Sequence, residues 1–341
     1  MTTTLYCGID LHSSNGVYFV TDEQDKPMFK KRLPNSLPII LDALEPFRKD
    51  LKLVAVESTY NWYWLVDSLS EHGYPVCLAN PSAIKQYDGL KQANDWTDAA
   101  FLAHLGRLGI LPTGYIYPKE DRPVRDLLRR RMLLVKHRTA MILSLQNLFS
   151  RQGLKRFSGD RLIPLQHEQL CEALDSDASL VFVAKEQISV IGFLSQHIQQ
   201  FEKRALEQAK VKDSYKRLLT MPGVGPILAL TILYETGDIE RFSRPGHYSS
   251  YCRCVRARRL SNDKTKGYNN RKNGNRYLGW AYVEAVHHAI RYCPEARQFY
   301  DRKRAQTNGA LATKALASKW SKAAYYILKR QEIFDLAKVF G

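Results

Sequence analysis

The sequence predicts an α/β domain with a mixed sheet, followed by a mostly helical remainder. Three observations carry this. Three short strand-like runs near the N-terminus give way to alternating helical and strand-like stretches up to residue 108. From about residue 122, apolar residues recur at spacings of three and four in long helical segments. Beyond residue 213, Gly- and Asn-containing turns separate further apolar helical runs.

Residues 5–10, 17–22 and 28–33 read as strands, joined through the turn formers Ser13-Ser14-Asn15-Gly16 and Glu23-Gln24-Asp25-Lys26. A helix over 36–47, a buried strand over 53–57, a helix over 62–72 and a strand over 74–79 follow, the last stopping before Asn80-Pro81. Residues 95–108 are helical, with apolar positions at 101, 102, 105 and 108. Residues 123–149 form a long basic amphipathic helix marked by Val124, Leu128, Val135, Ile142, Leu145 and Phe149, and a polar stretch with Gly153, Gly159 and Pro164 comes next. Ile191, Leu194, Ile198, Phe201 and Ala205 then alternate spacings of three and four, the a/d seam of a helical hairpin or dimerising coiled coil.

Pro222-Gly223-Val224-Gly225 lies between two apolar helical segments, as in a helix-hairpin-helix. Its glycines would let backbone N–H groups approach a phosphate, or would serve only a tight interhelical turn. Residues 280–292 and 308–335 read as two closing helices. The expected parts are residues 1–121 (with a last helix that could extend to 150), 122–212 and 213–341.

The 341 residues carry a net charge of +17, unevenly spread. Residues 1–112 are net −3, 113–212 net +6 and 213–341 net +14. A basic excess concentrated at one end points to a polyanion, and nucleic acid is the expected partner. Between 253 and 276 stand Arg253, Arg256, Arg258, Arg259, Lys264, Lys266, Arg271, Lys272 and Arg276 against one acid, Asp263. Asn, Gly and Tyr are interleaved among them, as in loops that track a nucleic-acid backbone. The six cysteines have no CxxC spacing and no disulfide framework, and Cys252 and Cys254 lack partners for a metal. The first residues lack the charged-then-apolar layout of a signal peptide, and no apolar run approaches the ~20 residues of a membrane span. A cytoplasmic protein with no membrane partner is expected.

Four acids stand out in this near-neutral first part. Asp10 ends the run Tyr6-Cys7-Gly8-Ile9, Glu57 ends Leu53-Val54-Ala55-Val56, and Asp95 and Asp98 lie one helical turn apart. Asp10 and Glu57 would come from adjacent strands, with the other two on one helix face. Four carboxylates and no histidine suit hard cations, with two Mg²⁺ gripping a phosphodiester as the expected arrangement. The plainer reading, strand-end acids that merely cap loops, suits any one of them better than all four.

Gly8-Ile9-Asp10 also opens the actin-like sugar kinases and ATPases, but the second Gly-rich phosphate loop of those proteins is missing. Gly8-Ile9-Asp10, Glu57-Ser58, the Asp95/Asp98 pair followed by Ala99, and Pro222-Gly223-Val224-Gly225 leading to a basic Ser/Gly/Asn loop instead resemble the DEDD-type bacterial insertion-sequence transposases, the RNA-guided bridge recombinases. Lys272-Asn273-Gly274-Asn275-Arg276-Tyr277-Leu278 is similar to that family's late signature.

The resemblance implies a RuvC-like (RNase H fold) domain, a coiled coil and a small transposase domain. It further implies a serine that becomes joined to DNA. Counting back from Gly274, the family's Ser-Gly falls on Ser261-Asn262, with Asn in place of Gly. Ser249 and Ser250 are the next candidates and Ser243 a weaker one, while His247, His287 and His288 read as packing or surface groups. The metal-bound acids would polarise the scissile phosphate, with Arg256, Arg258 and Arg259 as candidates to neutralise charge. Double-stranded donor and target DNA, a structured guide RNA and a homodimer or homotetramer are the implied partners, at the bacterial nucleoid. A water-using nuclease of junction-resolving type and a non-catalytic nucleic-acid binder are the other readings.

Overall fold

A computed structural model describes residues 3–84, 94–154, 172, 174, 177–209, 212–255, 258–262, 264–268 and 273–341, with backbone alone at 258–260, 265 and 268. The chain divides into two compact units, Met1–Tyr117 and Pro118–Gly341.

In the first unit, β1 (Leu5–Leu11), β2 (Asn15–Thr21), β3 (Pro27–Pro34), β4 (Leu51–Glu57) and β5 (Val76–Ala79) form one sheet in the order β3-β2-β1-β4-β5. The first three strands pair antiparallel, and β1–β4 and β4–β5 are parallel. This is the mixed sheet the sequence predicts. Helices α1 (Leu37–Leu44), α2 (Tyr63–Glu71) and α3 (Asp95–Arg107) complete the unit. Strand alternation assigns the faces: Leu5, Cys7, Ile9 and Leu11 are buried in one core with Ile40, Leu44, Leu65 and Leu69 of α1 and α2. Leu53 and Ala55 of β4 instead meet Leu102 of α3 on the other face.

The second unit begins with an antiparallel helical hairpin, α4 (Arg122–Arg151) against α5 (Ala178–Gln208). Its direction shows in the cross-links Arg131–Glu202, Arg138–Ser195 and Ser144–Gln187. Ala184, Ile191, Ile198 and Ala205, seven apart, are buried on α5, while Leu194 and Phe201 are half-buried at the seam's edge. By length and composition α5 also carries a stretch apolar enough to cross a membrane, contrary to the sequence expectation. That surplus exists because Phe182, Val183, Val190 and Phe193 add apolar side chains outside the buried heptad face and remain exposed.

Beyond the hairpin come α6 (Asp213–Leu218), α7 (Pro226–Thr236), α8 (Pro245–Tyr251), the antiparallel strands β6 (Arg258–Ser261) and β7 (Lys264–Tyr268), then α9 (Arg276–Tyr292), α10 (Pro294–Gln306), α11 (Gly309–Arg330) and α12 (Leu336–Phe340). Where two closing helices are expected there are four elements. Helix α10 escapes periodicity because Ala296 is its one fully buried side chain, although Pro294 at its first position is a start signal. Helix α11 stops at Arg330, with Gln331 in the left-handed region. The core of this part gathers Trp320, Tyr248, Tyr282 and Leu316, with the Tyr248 hydroxyl bonded to Thr236 and Tyr282.

A buried ion cluster ties α4, α7 and the start of α9 together. The fully buried Glu235 accepts from Arg125 Nε at 3.2 Å, Arg129 Nη2 at 2.9 Å and Asn275 Nδ2 at 2.7 Å. Asn275 also caps α9 through the N–H groups of Tyr277 and Leu278. Burial alone would raise the Glu235 carboxyl, but the Arg129 bonds and the Arg125 charge outweigh it and hold it below 4.5. Glu235→Ala leaves two largely buried guanidiniums without their counter-charge, with an expected loss of about 3–5 kcal/mol in urea denaturation. Because the native carboxyl titrates below its unfolded value, its contribution is complete above the unfolded value and lost as pH falls through the native one. The wild type should therefore lose stability below about pH 4.5 more steeply than Glu235→Gln.

Candidate active site

Three elements bring the four acids together. Gly8 and Asp10 share the face of β1 that lies under α3, and Glu57 follows Leu53 and Ala55 on the same face of β4. Parallel pairing of Ile9 with Val56 places Asp10 and Glu57 side by side at the strand ends. Helix α3 lies close against β1: a Cβ at Gly8 would sit 2.0 Å from the Ala99 carbonyl oxygen and 2.7 Å from the Ala103 nitrogen. Ala99 and Ala103 are fully buried in that contact. At the start of α3, Asn94 accepts from the N–H groups of Trp96 and Thr97 in a capping box. Asp95 and Asp98 occupy the first turn, where the helix dipole favours carboxylates.

The acids fall into two groups that share the buried Asp10. Burial first, then the neighbouring Asp10 and Asp98 carboxyls, push Glu57 up to about 7. Asp95 faces the opposite influence: the bond from Arg32 Nη2, at 2.7 Å, and the nearby His12 ring hold it below the usual carboxylate range. His12 Nε2 lies 3.4 Å from Asp10 Oδ2 and 3.2 Å from Asp95 Oδ2. These three residues offer ligand atoms within 4.8 Å of one another.

Beside these carboxylates the structure places one imidazole, that of His12. The chain turns just past the end of β1 and brings the ring back over the carboxylates. The donor set fits a divalent cation: carboxylate oxygens of Asp10 and Asp95 and an imidazole nitrogen lie within 4.8 Å of one another, with Glu57 beside Asp10.

In the second unit, Ser261 ends β6 and pairs with Lys264, so it opens the turn of an exposed hairpin. Asn262 has φ 50°, a left-handed conformation that Gly enters freely and Asn better than most residues. The expected Gly-to-Asn departure is therefore compatible with the same turn. Ser249 is fully buried and bonded to Ser318 and Ser321. Ser250 is exposed, and the exposed Ser243 places its hydroxyl 3.1 Å from His247 Nδ1. His287 and His288 are surface groups, as expected.

Gly223, with φ 80°, packs its Cα against α9, where a Cβ would fall 2.1 Å from the Ala285 carbonyl oxygen. Helix contact accounts for this glycine, whereas Gly225, before α7, faces open space. Lys264, Lys266 and Arg276 are exposed, and Arg253 donates to the Gly274 carbonyl. The backbone of Arg258 and Arg259 lies in β6, while Arg256, Arg271 and Lys272 fall outside the described residues. Gly274 (φ 88°) passes so close to Tyr251 that a Cβ would lie 2.4 Å from its carbonyl oxygen. With Asn275 capping α9, this explains the local Gly274-Asn275 pair.

Two family models match the chain. The DEDD transposase model of IS110 type covers residues 7–152, and the model described as the transposase IS116/IS110/IS902 family covers residues 215–301. The chain belongs to the IS110/IS116/IS902 transposase family. The transposase is 26% identical over 273 residues to the transposase for insertion sequence element IS1111A of Coxiella burnetii, covering 77% of this chain and 73% of that protein. It is 23% identical over 290 residues to a probable family 20 transposase of Pseudomonas aeruginosa, covering 83% and 85% respectively. An insertion element IS110 protein of Streptomyces coelicolor is 32% identical over 99 residues, 29% of this chain and 24% of its own. A transposase of this family binds DNA, in keeping with the basic C-terminal part.

Sequence reasoning missed His12 and Arg32 in the transposase. Asp10-Leu11-His12 carries a local signal, an acid and an imidazole two apart at a strand end. Arg32 carries none, since it reaches Asp95 only because β3 pairs with β2.

Proposed function

We propose that this transposase cuts and rejoins DNA through a covalent phosphoserine at Ser261, assisted by Mg²⁺ at Asp10, Glu57, Asp95 and Asp98. The observation that carries the reading is the convergence of these acids from β1, β4 and the first turn of α3. Two cations bound there would polarise a scissile phosphate and stabilise its developing charge. Arg32 orients Asp95, and the close contact at Gly8 holds Asp98 toward Glu57.

Ser261 Oγ forms the new bond to phosphorus while a strand oxygen leaves. The serine proton passes to solvent and the departing oxygen takes one up, so no water is consumed. Attack by another strand's hydroxyl reverses the step and rejoins DNA. Lys264 and Lys266, exposed on the same hairpin, are placed to neutralise phosphate charge.

The reading extends to a structured guide RNA that pairs with donor and target DNA, supported by the +14 charge of residues 213–341 and by the resemblance. Residues 1–121, 122–212 and 213–341 would serve as catalytic, assembly and nucleic-acid-handling parts, working in the bacterial cytoplasm. The exposed Phe182 and Phe193 on α5 support assembly as a dimer or tetramer. The test is recombination between donor and target DNA by purified protein, with and without RNA transcribed from the element's noncoding flank. Recombination is expected only with the RNA, from a species that sediments as a dimer or larger. Undiminished recombination by RNA-free protein would remove the guide, and free 5′ or 3′ ends with no protein attached would favour a water-using nuclease.

A further inference from the structure

The acidic centre contains one group that the carboxylate reading does not use. His12 is held by its own backbone: its N–H donates to the Asn15 carbonyl, and its carbonyl accepts from Asn35 Nδ2 at 3.0 Å and Asn61 Nδ2 at 2.9 Å. The residue after the strand is thereby tied to three separate segments, which fixes where the ring emerges. Its Nε2 is buried and lies between two carboxylates, 3.4 Å from Asp10 Oδ2 and 3.2 Å from Asp95 Oδ2.

The nitrogen is close to both carboxylates at once, and Asp10, His12 and Asp95 offer ligand atoms within 4.8 Å of one another, near enough to share one cation. Arg32 supports the arrangement from behind, bonding Asp95 Oδ2 with Nη2 and Asn15 Oδ1 with Nη1. Metal-binding carboxylates are commonly held by such outer contacts.

We propose that His12 is a metal ligand, so that the two cation positions differ in chemistry. Asp10, His12 and Asp95 offer one position with a nitrogen donor. Asp10, Glu57 and Asp98, whose carboxyls influence one another, would form an all-oxygen position, with Asp10 common to both. The inference rests on the metal reading of the acids given above. An imidazole nitrogen suits Mn²⁺ and later divalent ions better than Mg²⁺, which prefers oxygen and retained water. The nitrogen-bearing position is thus selective for Mn²⁺, while the all-oxygen position accepts Mg²⁺.

The test is Mn²⁺ titration of the full-length protein followed by electron paramagnetic resonance, with pulsed detection of ¹⁴N coupling to the bound ion. Wild-type protein is expected to bind Mn²⁺ with an imidazole-nitrogen coupling. His12→Ala should abolish that coupling and weaken Mn²⁺ binding at this position about tenfold or more, with less than about a threefold change for Mg²⁺. Circular dichroism identifies any misfolded variant, and the wild-type coupling is a readout that needs no variant. Bound Mn²⁺ without nitrogen coupling in the wild type, or coupling that survives in folded His12→Ala, overturns the role of His12. Equal Mn²⁺ binding by wild type, Asp10→Asn and Asp98→Asn overturns instead the metal reading of the acids.

Discussion

Ser261→Ala protein is expected to form no covalent adduct with DNA and to lose recombination by at least about 10³-fold, the scale on which nucleophile removal acts in covalent catalysis. The serine opens an exposed hairpin turn, so the substitution removes one hydroxyl and little packing. Thermal stability and Mn²⁺ binding should remain as in the wild type, which separates chemistry from folding. Denaturing electrophoresis of labelled DNA is the measurement, since an adduct travels with the protein. Ser243→Ala is the necessary companion, because that hydroxyl has an imidazole within hydrogen-bond distance. Retention of the adduct by Ser261→Ala and its loss in Ser243→Ala would move the nucleophile to the start of α8.

Gly8→Val is expected to disable the first unit although valine suits a strand better than glycine does. The new Cβ would lie 2.0 Å and 2.7 Å from backbone atoms of α3, so no rotamer change relieves the clash. The helix must move away, taking Asp95 and Asp98 with it. A stability loss of about 3 kcal/mol or more is expected, at the upper end of overpacking effects, together with loss of Mn²⁺ binding and strand cleavage. Ala99→Gly should not rescue it, because the obstruction is the Ala99 carbonyl and not its methyl group. Wild-type melting and cleavage by Gly8→Val would show that the α3–β1 contact does not set the site.

Most of the site was legible because its residues sit where elements begin or end. Asp10 and Glu57 close apolar runs, and Asp95 and Asp98 follow a helix cap, so local pattern alone singles them out. His12 and Arg32 lie in a turn and on an exposed edge strand, where polar residues are ordinary. They meet Asp95 only in the folded chain, where Arg32 also reaches Asn15, so its two partners are 17 and 63 positions away. The same limit hid Glu235, an acid inside an apolar helix whose partners Arg125 and Asn275 are 110 and 40 residues away. Gly223 stands out in the sequence as a point of close backbone approach, and α9 is packed against it.

By itself, the sequence determined the mixed sheet, the helical hairpin, the concentration of positive charge and the four acids. These follow from short-range periodicity, turn chemistry and composition, which act between residues a few positions apart. Only the tertiary structure decided that Asp10 lies beside both Glu57 and His12, that His12 faces both Asp10 and Asp95, and that Glu235 joins three helices. Those features depend on which distant side chains share a buried space, where the cost of an unpaired charge selects the partners. No local pattern records that selection, because the desolvation that enforces it exists only once the chain has folded.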